Sequence, residues 1–121
     1  MKLSTPPPKK PTLNFVVEGG TKLKGSIKVN GSKNSAMGIL CASLLNKGTT
    51  TLYNVPRIEE VNRILEVFES IGVKLNWLDE STLKLKRPTK LNLKNMNKES
   101  ATRTRSVIML TGALIFQEKE F

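Results

Sequence analysis

Between Ser35 and Leu45, eight of eleven positions are apolar: Ala36, Met37, Ile39, Leu40, Cys41, Ala42, Leu44 and Leu45. A helix that is apolar nearly all round has no face to offer to water and has to be covered by other elements. The pattern therefore predicts a buried helix over 35–45. Asn46-Lys47-Gly48 ends it, with the glycine in the C-cap region. Gly38 inside it costs about 1 kcal/mol against alanine. Close packing, or room for a ligand, would account for a glycine there.

A second helix is predicted from Ile58 to Ile71. Ile58, Val61, Ile64, Leu65, Phe68 and Ile71 fall on one stripe. Glu59 and Glu60 occupy its first turn, where the helix dipole favours acids, and Gly72 is placed to cap its end. Glu59, Glu60, Glu66 and Glu69 read as its solvated face. Alternation predicts strands over 13–17 and 23–29, the latter burying Leu23, Gly25, Ile27 and Val29 on one side. Thr49–Val55 is β-branched and strand-like. Residues 73–77 and 82–86 read as a hairpin, with a further short strand near 91–93 and a last helix over 100–116. The order is β-β-α-β-α-β-β-α, an α/β (α+β) chain whose expected architecture is a mixed sheet with helices on one face. Residues 1–12, rich in Pro and Lys, read as a disordered tail before a domain over 13–121.

Composition removes several chemistries. The chain has no histidine and a single cysteine, Cys41. Ser-His and Cys-His nucleophile pairs and an intrachain disulfide are therefore excluded, and no metal site is expected. Cys41 lies among apolar neighbours and reads as a buried, inert thiol. Trp77 and Tyr53 sit in predicted strands and read as packing residues. The net charge is +10, which raises nucleic acid as a partner. The basic residues are mostly lysines scattered along the whole chain, however, and the sequence holds one Trp and one Tyr. Faces that read or stack bases need more arginine and aromatic surface than this. The charge fits better with steering of anionic metabolites. No apolar run reaches the ~20 residues of a membrane span, and a cytoplasmic location is expected.

Two constellations could carry chemistry. Gly31-Ser32-Lys33-Asn34 joins a predicted strand to a helix start. Such a start offers unbonded N–H groups and a positive dipole end to an anion. Lys33 adds a full charge, and Asn34 can both donate and accept. A plain strand-to-helix turn with a surface lysine is the alternative. Arg103-Thr104-Arg105-Ser106, early in the last predicted helix, offers guanidinium forks suited to phosphate or carboxylate. A solvated first turn is the alternative there.

With these residues in view, the stretch from Phe15 to about Ile115 resembles the UDP-N-acetylglucosamine 1-carboxyvinyltransferase family of enolpyruvyl transferases. Gly19–Gly25 is similar to that family's opening strand pair. Gly31-Ser32-Lys33-Asn34-Ser35-Ala36-Met37-Gly38-Ile39-Leu40 is similar to its Gly-Ala-Lys-Asn-Ala-Ala-Leu-Pro-Ile-Leu signature. Asn54-Val55-Pro56 with the helix to Gly72 resembles its second strand and helix, and Arg105 with Gly112 its arginine helix. The sister family, 5-enolpyruvylshikimate-3-phosphate synthase, normally carries Lys-Ser where this chain has Lys33-Asn34.

The resemblance implies transfer of enolpyruvyl from phosphoenolpyruvate to the 3-hydroxyl of UDP-N-acetylglucosamine, a step of peptidoglycan precursor synthesis, with no cofactor. It implies that Lys33 contacts phosphoenolpyruvate and that Asn34 and Arg105 contact the substrates. It also implies an inside-out barrel of β-α-β-α-β-β units, incomplete here. The family's loop with a proton-donor cysteine lies beyond the arginine helix, and its second domain has no counterpart in 121 residues. No catalytic residue is therefore expected in this chain, which is expected to be a truncated, inactive piece. Self-association, or a partner chain, is expected through the uncovered domain face. The alternatives are a 5-enolpyruvylshikimate-3-phosphate synthase-like piece, or a non-catalytic module binding a nucleotide sugar or nucleic acid.

Overall fold

The apolar stripe after Pro56 does what its period predicts. In the computed structural model, which describes residues 14–115, helix α2 spans Glu59–Ser70 and buries Val61, Ile64, Leu65, Val67 and Phe68. Its end is a Schellman motif: the Gly72 N–H donates to Glu69 O and the Val73 N–H to Phe68 O, with Gly72 at φ +99°. A side chain would be strained at that φ, so glycine is required.

Helix α1 spans Lys33–Ser43 and packs on α2. It is not covered all round. Ala36, Met37, Leu40 and Cys41 face the core, whereas Ile39 and Leu45 are more than half exposed. The high apolar content had hidden a 3.6-residue stripe. Gly48 does not cap α1 either. Leu44, Leu45 and Asn46 close the helix with successive turns onto Cys41, Ala42 and Ser43 carbonyls, and Gly48 N–H donates to Asn46 Oδ1.

Strand β1 (Thr49–Leu52), β2 (Lys74–Trp77) and β3 (Leu83–Lys86) form one sheet in the order β1-β3-β2. Both pairings are antiparallel, Thr50 and Leu75 each facing Leu85, Leu52 and Trp77 each facing Leu83. The expected mixed sheet is thus corrected: β1 and β2 run parallel but are separated by β3, so no parallel pair is bonded. Leu83 and Leu85 point into the core while Lys84 and Lys86 face solvent. The helices cover one face, as expected. Trp77 packs against the core, but Tyr53 is 77% exposed past the end of β1 and is not a packing residue.

Two expectations fail at the ends of the described chain. Residues 14–30 form no strand, and Phe15, Val17, Leu23, Ile27 and Val29 are each at least 79% exposed. Alternation had grouped their side chains on one face, but a strand also needs a partner edge, and none is bonded to these residues among those described. The last helix is broken. Helix α3 (Lys98–Thr102) starts early because Asn97 caps it, accepting from Ser100 N–H. Thr104 then takes extended angles, φ −130° and ψ 121°, with its side chain buried. A 3-10 turn over Arg105–Met109 leads into α4 (Leu110–Leu114). Near 91–93 there is no strand; Leu91 is buried and a 3-10 turn spans Leu93–Asn95. The expected tail over 1–12 and the end of the last predicted helix lie outside the described residues. Among those described, no helix is long and apolar enough to cross a membrane.

Glu66 departs from the solvated face assigned to it. It accepts from the buried Ser100 hydroxyl on α3 and from Arg63 one turn earlier on α2. Ser100 and then Arg63 hold its carboxyl below the usual carboxylate range. Thr82 and the Ser81 N–H do the same for Asp79 in the β2–β3 loop. Both groups are more acidic folded than unfolded. Their contribution to stability is therefore present at neutral pH and is lost as pH falls below about 4. Chemical denaturation across pH 3–6 should show this fall. The double variant Glu66→Gln, Asp79→Asn should flatten it; an unchanged slope would refute the assignment.

Candidate functional site

The turn before α1 is shaped by backbone contact. A Cβ on Gly31 would stand 2.0 Å from the Asn54 carbonyl oxygen, so only glycine lets the two segments meet. Asn54 itself sits at φ +57°, which asparagine tolerates better than most residues. Gly31 thus serves chain packing, which sequence had not separated from anion approach. Ser32 is the N-cap, its side chain accepting from Ser35 N–H and its carbonyl from Ala36 N–H. The N–H groups of Lys33 and Asn34, at the start of the helix, have no intrahelical carbonyl to bond. Both side chains are exposed, and no acid lies in the helix's own first turn. Lys33 Nζ lies 2.9 Å from Glu60 Oε1 in the first turn of α2.

The two arginines separate. Arg103 caps the end of α3 and pairs with Glu99 at 2.8 Å, which is the solvated alternative. Arg105 begins the 3-10 turn and is exposed. That turn and α4 pack against α1. Gly38, Cys41, Ala42 and Leu45 line one cleft of about 250 Å³ with Met109, Gly112 and Ala113. Close packing does not explain Gly38, since a Cβ there would stand 3.5 Å from Met109 Cε, an ordinary van der Waals contact. Cys41 is inert as expected: burial pushes its thiol up to about 11.

Sequence reading missed a feature beside Gly31. A cleft of about 880 Å³ opens between Asn30, Gly31, Arg57 and Trp77. Arg57 stacks over the Trp77 ring, 4.2 Å from its centroid, and donates to the Asp79 and Glu80 carbonyls. These partners are twenty or more residues apart, so no local pattern announces them.

Residues 17–118 match the family model of EPSP synthase (3-phosphoshikimate 1-carboxyvinyltransferase). The chain belongs to this family. Its members are enolpyruvyl transferases. Among curated relatives, the UDP-N-acetylglucosamine 1-carboxyvinyltransferase of Bradyrhizobium diazoefficiens is 36% identical over 103 residues, covering 85% of this chain and 24% of that one. UDP-N-acetylglucosamine 1-carboxyvinyltransferase 1 of Legionella pneumophila is 34% identical, over 85% of this chain and 20% of its own length. The enzyme of that name from Deinococcus deserti is 40% identical over 76 residues, 63% of this chain and 18% of its own. The chain thus spans at most about a quarter of these relatives. In this member of the family, the matched region takes in the Gly31–Asn34 turn, the cleft beside it and Arg105.

Proposed function

We propose that this chain forms part of an enzyme that moves the enolpyruvyl group of phosphoenolpyruvate onto the 3-hydroxyl of UDP-N-acetylglucosamine, in the cytoplasmic synthesis of peptidoglycan precursors. In that reaction the sugar oxygen bonds to C2 of the enolpyruvyl group, the C2–O bond to phosphate breaks, and phosphate leaves with the proton lost by the hydroxyl. The observation that carries the reading is the exposed Lys33 at the start of α1, with Arg105 exposed on a segment that packs against that helix, in a chain similar to relatives of that name. Lys33 holds the charge of phosphoenolpyruvate, Asn34 bonds the substrates beside it, and Arg105 meets them from the neighbouring segment. Both substrates are anionic, and fixed positive charge is the main thing a protein can offer such a transfer. The names of the relatives favour the UDP-sugar over shikimate 3-phosphate as acceptor.

Titration of the chain with UDP-N-acetylglucosamine, phosphoenolpyruvate and shikimate 3-phosphate, followed by NMR, tests this. UDP-N-acetylglucosamine should shift residues around Lys33 and Arg105. Arg105→Ala should weaken its binding by roughly 10–100-fold, the usual loss of a charge-assisted bond. Response to shikimate 3-phosphate in its place would move the chain to the sister activity. Response to none of the three would sink the reading.

A further inference from the structure

Lys33 is tethered. Its ammonium bonds Glu60 Oε1 across 27 residues of sequence, and each side chain of the pair is close to half exposed. An ion pair this open to water contributes little to stability. Its effect is on geometry. A lysine has a four-carbon stem and a mobile head, and at an exposed helix start that head would sample a wide volume.

Glu60 removes that freedom. It sits on α2, which is fixed to α1 through the core, with Met37 and Leu40 of one helix and Ile64 and Phe68 of the other all at most 2% exposed. The carboxylate is thus held at a set place relative to the start of α1. Its neighbour Glu59 is taken by Arg63 at 2.9 Å, so the two acids are not interchangeable. An ammonium has three donors. Glu60 engages one, leaving two for an incoming anion.

We infer that Glu60 is a positioning residue: it holds the Lys33 ammonium where the anionic group of phosphoenolpyruvate is received. The inference rests on the reading of Lys33 given above. A carboxylate beside an anion site also repels the ligand, so Glu60 acts in opposite directions through charge and through geometry.

Phosphoenolpyruvate titrated by NMR into the unsubstituted chain and into Lys33→Ala, Glu60→Ala and Glu60→Gln separates the cases. Glu60→Ala should bind about five- to tenfold more weakly, the effect of freeing one long side chain. Glu60→Gln, which keeps an acceptor oxygen at the same reach, should recover most of the affinity. The thermal midpoints of both should match the unsubstituted chain, a result that a merely structural role would not give together with the affinity loss. Binding by Glu60→Ala as tight as or tighter than the unsubstituted chain, with Lys33→Ala impaired, overturns the role of Glu60 alone. Lys33→Ala binding like the unsubstituted chain, or no binding by the latter, overturns the reading of Lys33 and the inference with it.

Discussion

Replacing Phe68 with alanine is expected to lower the stability of the chain by about 4 kcal/mol, within the 3–5 kcal/mol typical of a buried aromatic. Phe68 is fully buried on α2 and is the bulkiest of the fully enclosed side chains among the described residues. Its removal takes away both its transfer free energy and the contacts of the atoms around it. Single domains are held by roughly 5–15 kcal/mol in total, so the loss is a large part of the whole. For a domain of this size the melting midpoint should fall by about 15 °C or more. Urea denaturation should show a lower midpoint at an unchanged slope. Tyr53→Ala, at an exposed site, should stay within about 0.5 kcal/mol. A loss under about 1 kcal/mol for Phe68→Ala would mean that the α1–α2 contact can collapse to fill the space.

The same helix shows what periodicity can and cannot convey. The stripe from Ile58 to Ile71 fixed α2 because helix spacing and burial agree at nearly every position. The β2–β3 hairpin was legible for the same reason, with Leu83 and Leu85 inward and Lys84 and Lys86 outward. Residues 23–29 carry as clear an alternation, yet their apolar side chains stand in solvent. Periodicity states which side chains share a face; it does not state whether a partner edge is within reach. The last helix failed for a different reason. Thr104 is buried in an extended conformation, and this interruption outweighs the helical spacing on either side of it. That break assigns Arg103 to one segment and Arg105 to another, which a continuous helix would not have done. Of the proposed site, Lys33, Asn34 and Arg105 could be picked out by residue type and position. Glu60 and the Arg57–Trp77 stack could not, because their partners come from distant parts of the chain.

Gly31→Ala should be nearly as damaging as the loss of Phe68, and it acts at the site itself. The new methyl group would be placed 2.0 Å from the Asn54 carbonyl oxygen and 3.2 Å from its carbon. These are backbone atoms, so no side-chain rotation can relieve the clash. Either the Asn30–Ser32 segment or the turn at Asn54 has to move, and Asn54 already holds a positive φ. Overpacking of this kind costs about 3 kcal/mol, at the upper end of what such insertions do. Gly112→Ala is the matched control: nothing lies within 4 Å of its Cβ position, and α4 should gain up to about 1 kcal/mol from the better helix former. The functional consequence follows from position. Ser32, the next residue, caps α1, and Lys33 and Asn34 open it, so a shift at Gly31 displaces the N-cap and with it the point from which the lysine reaches Glu60. Gly31→Ala should therefore show both a melting midpoint lowered by about 10 °C or more and altered NMR shifts at Lys33 and Asn34 in whatever folded population remains. A variant that melts normally would show that the chain can open at Asn54 without cost. A variant that melts low but keeps the Lys33 and Asn34 shifts would show that the turn and the start of α1 are held independently of each other.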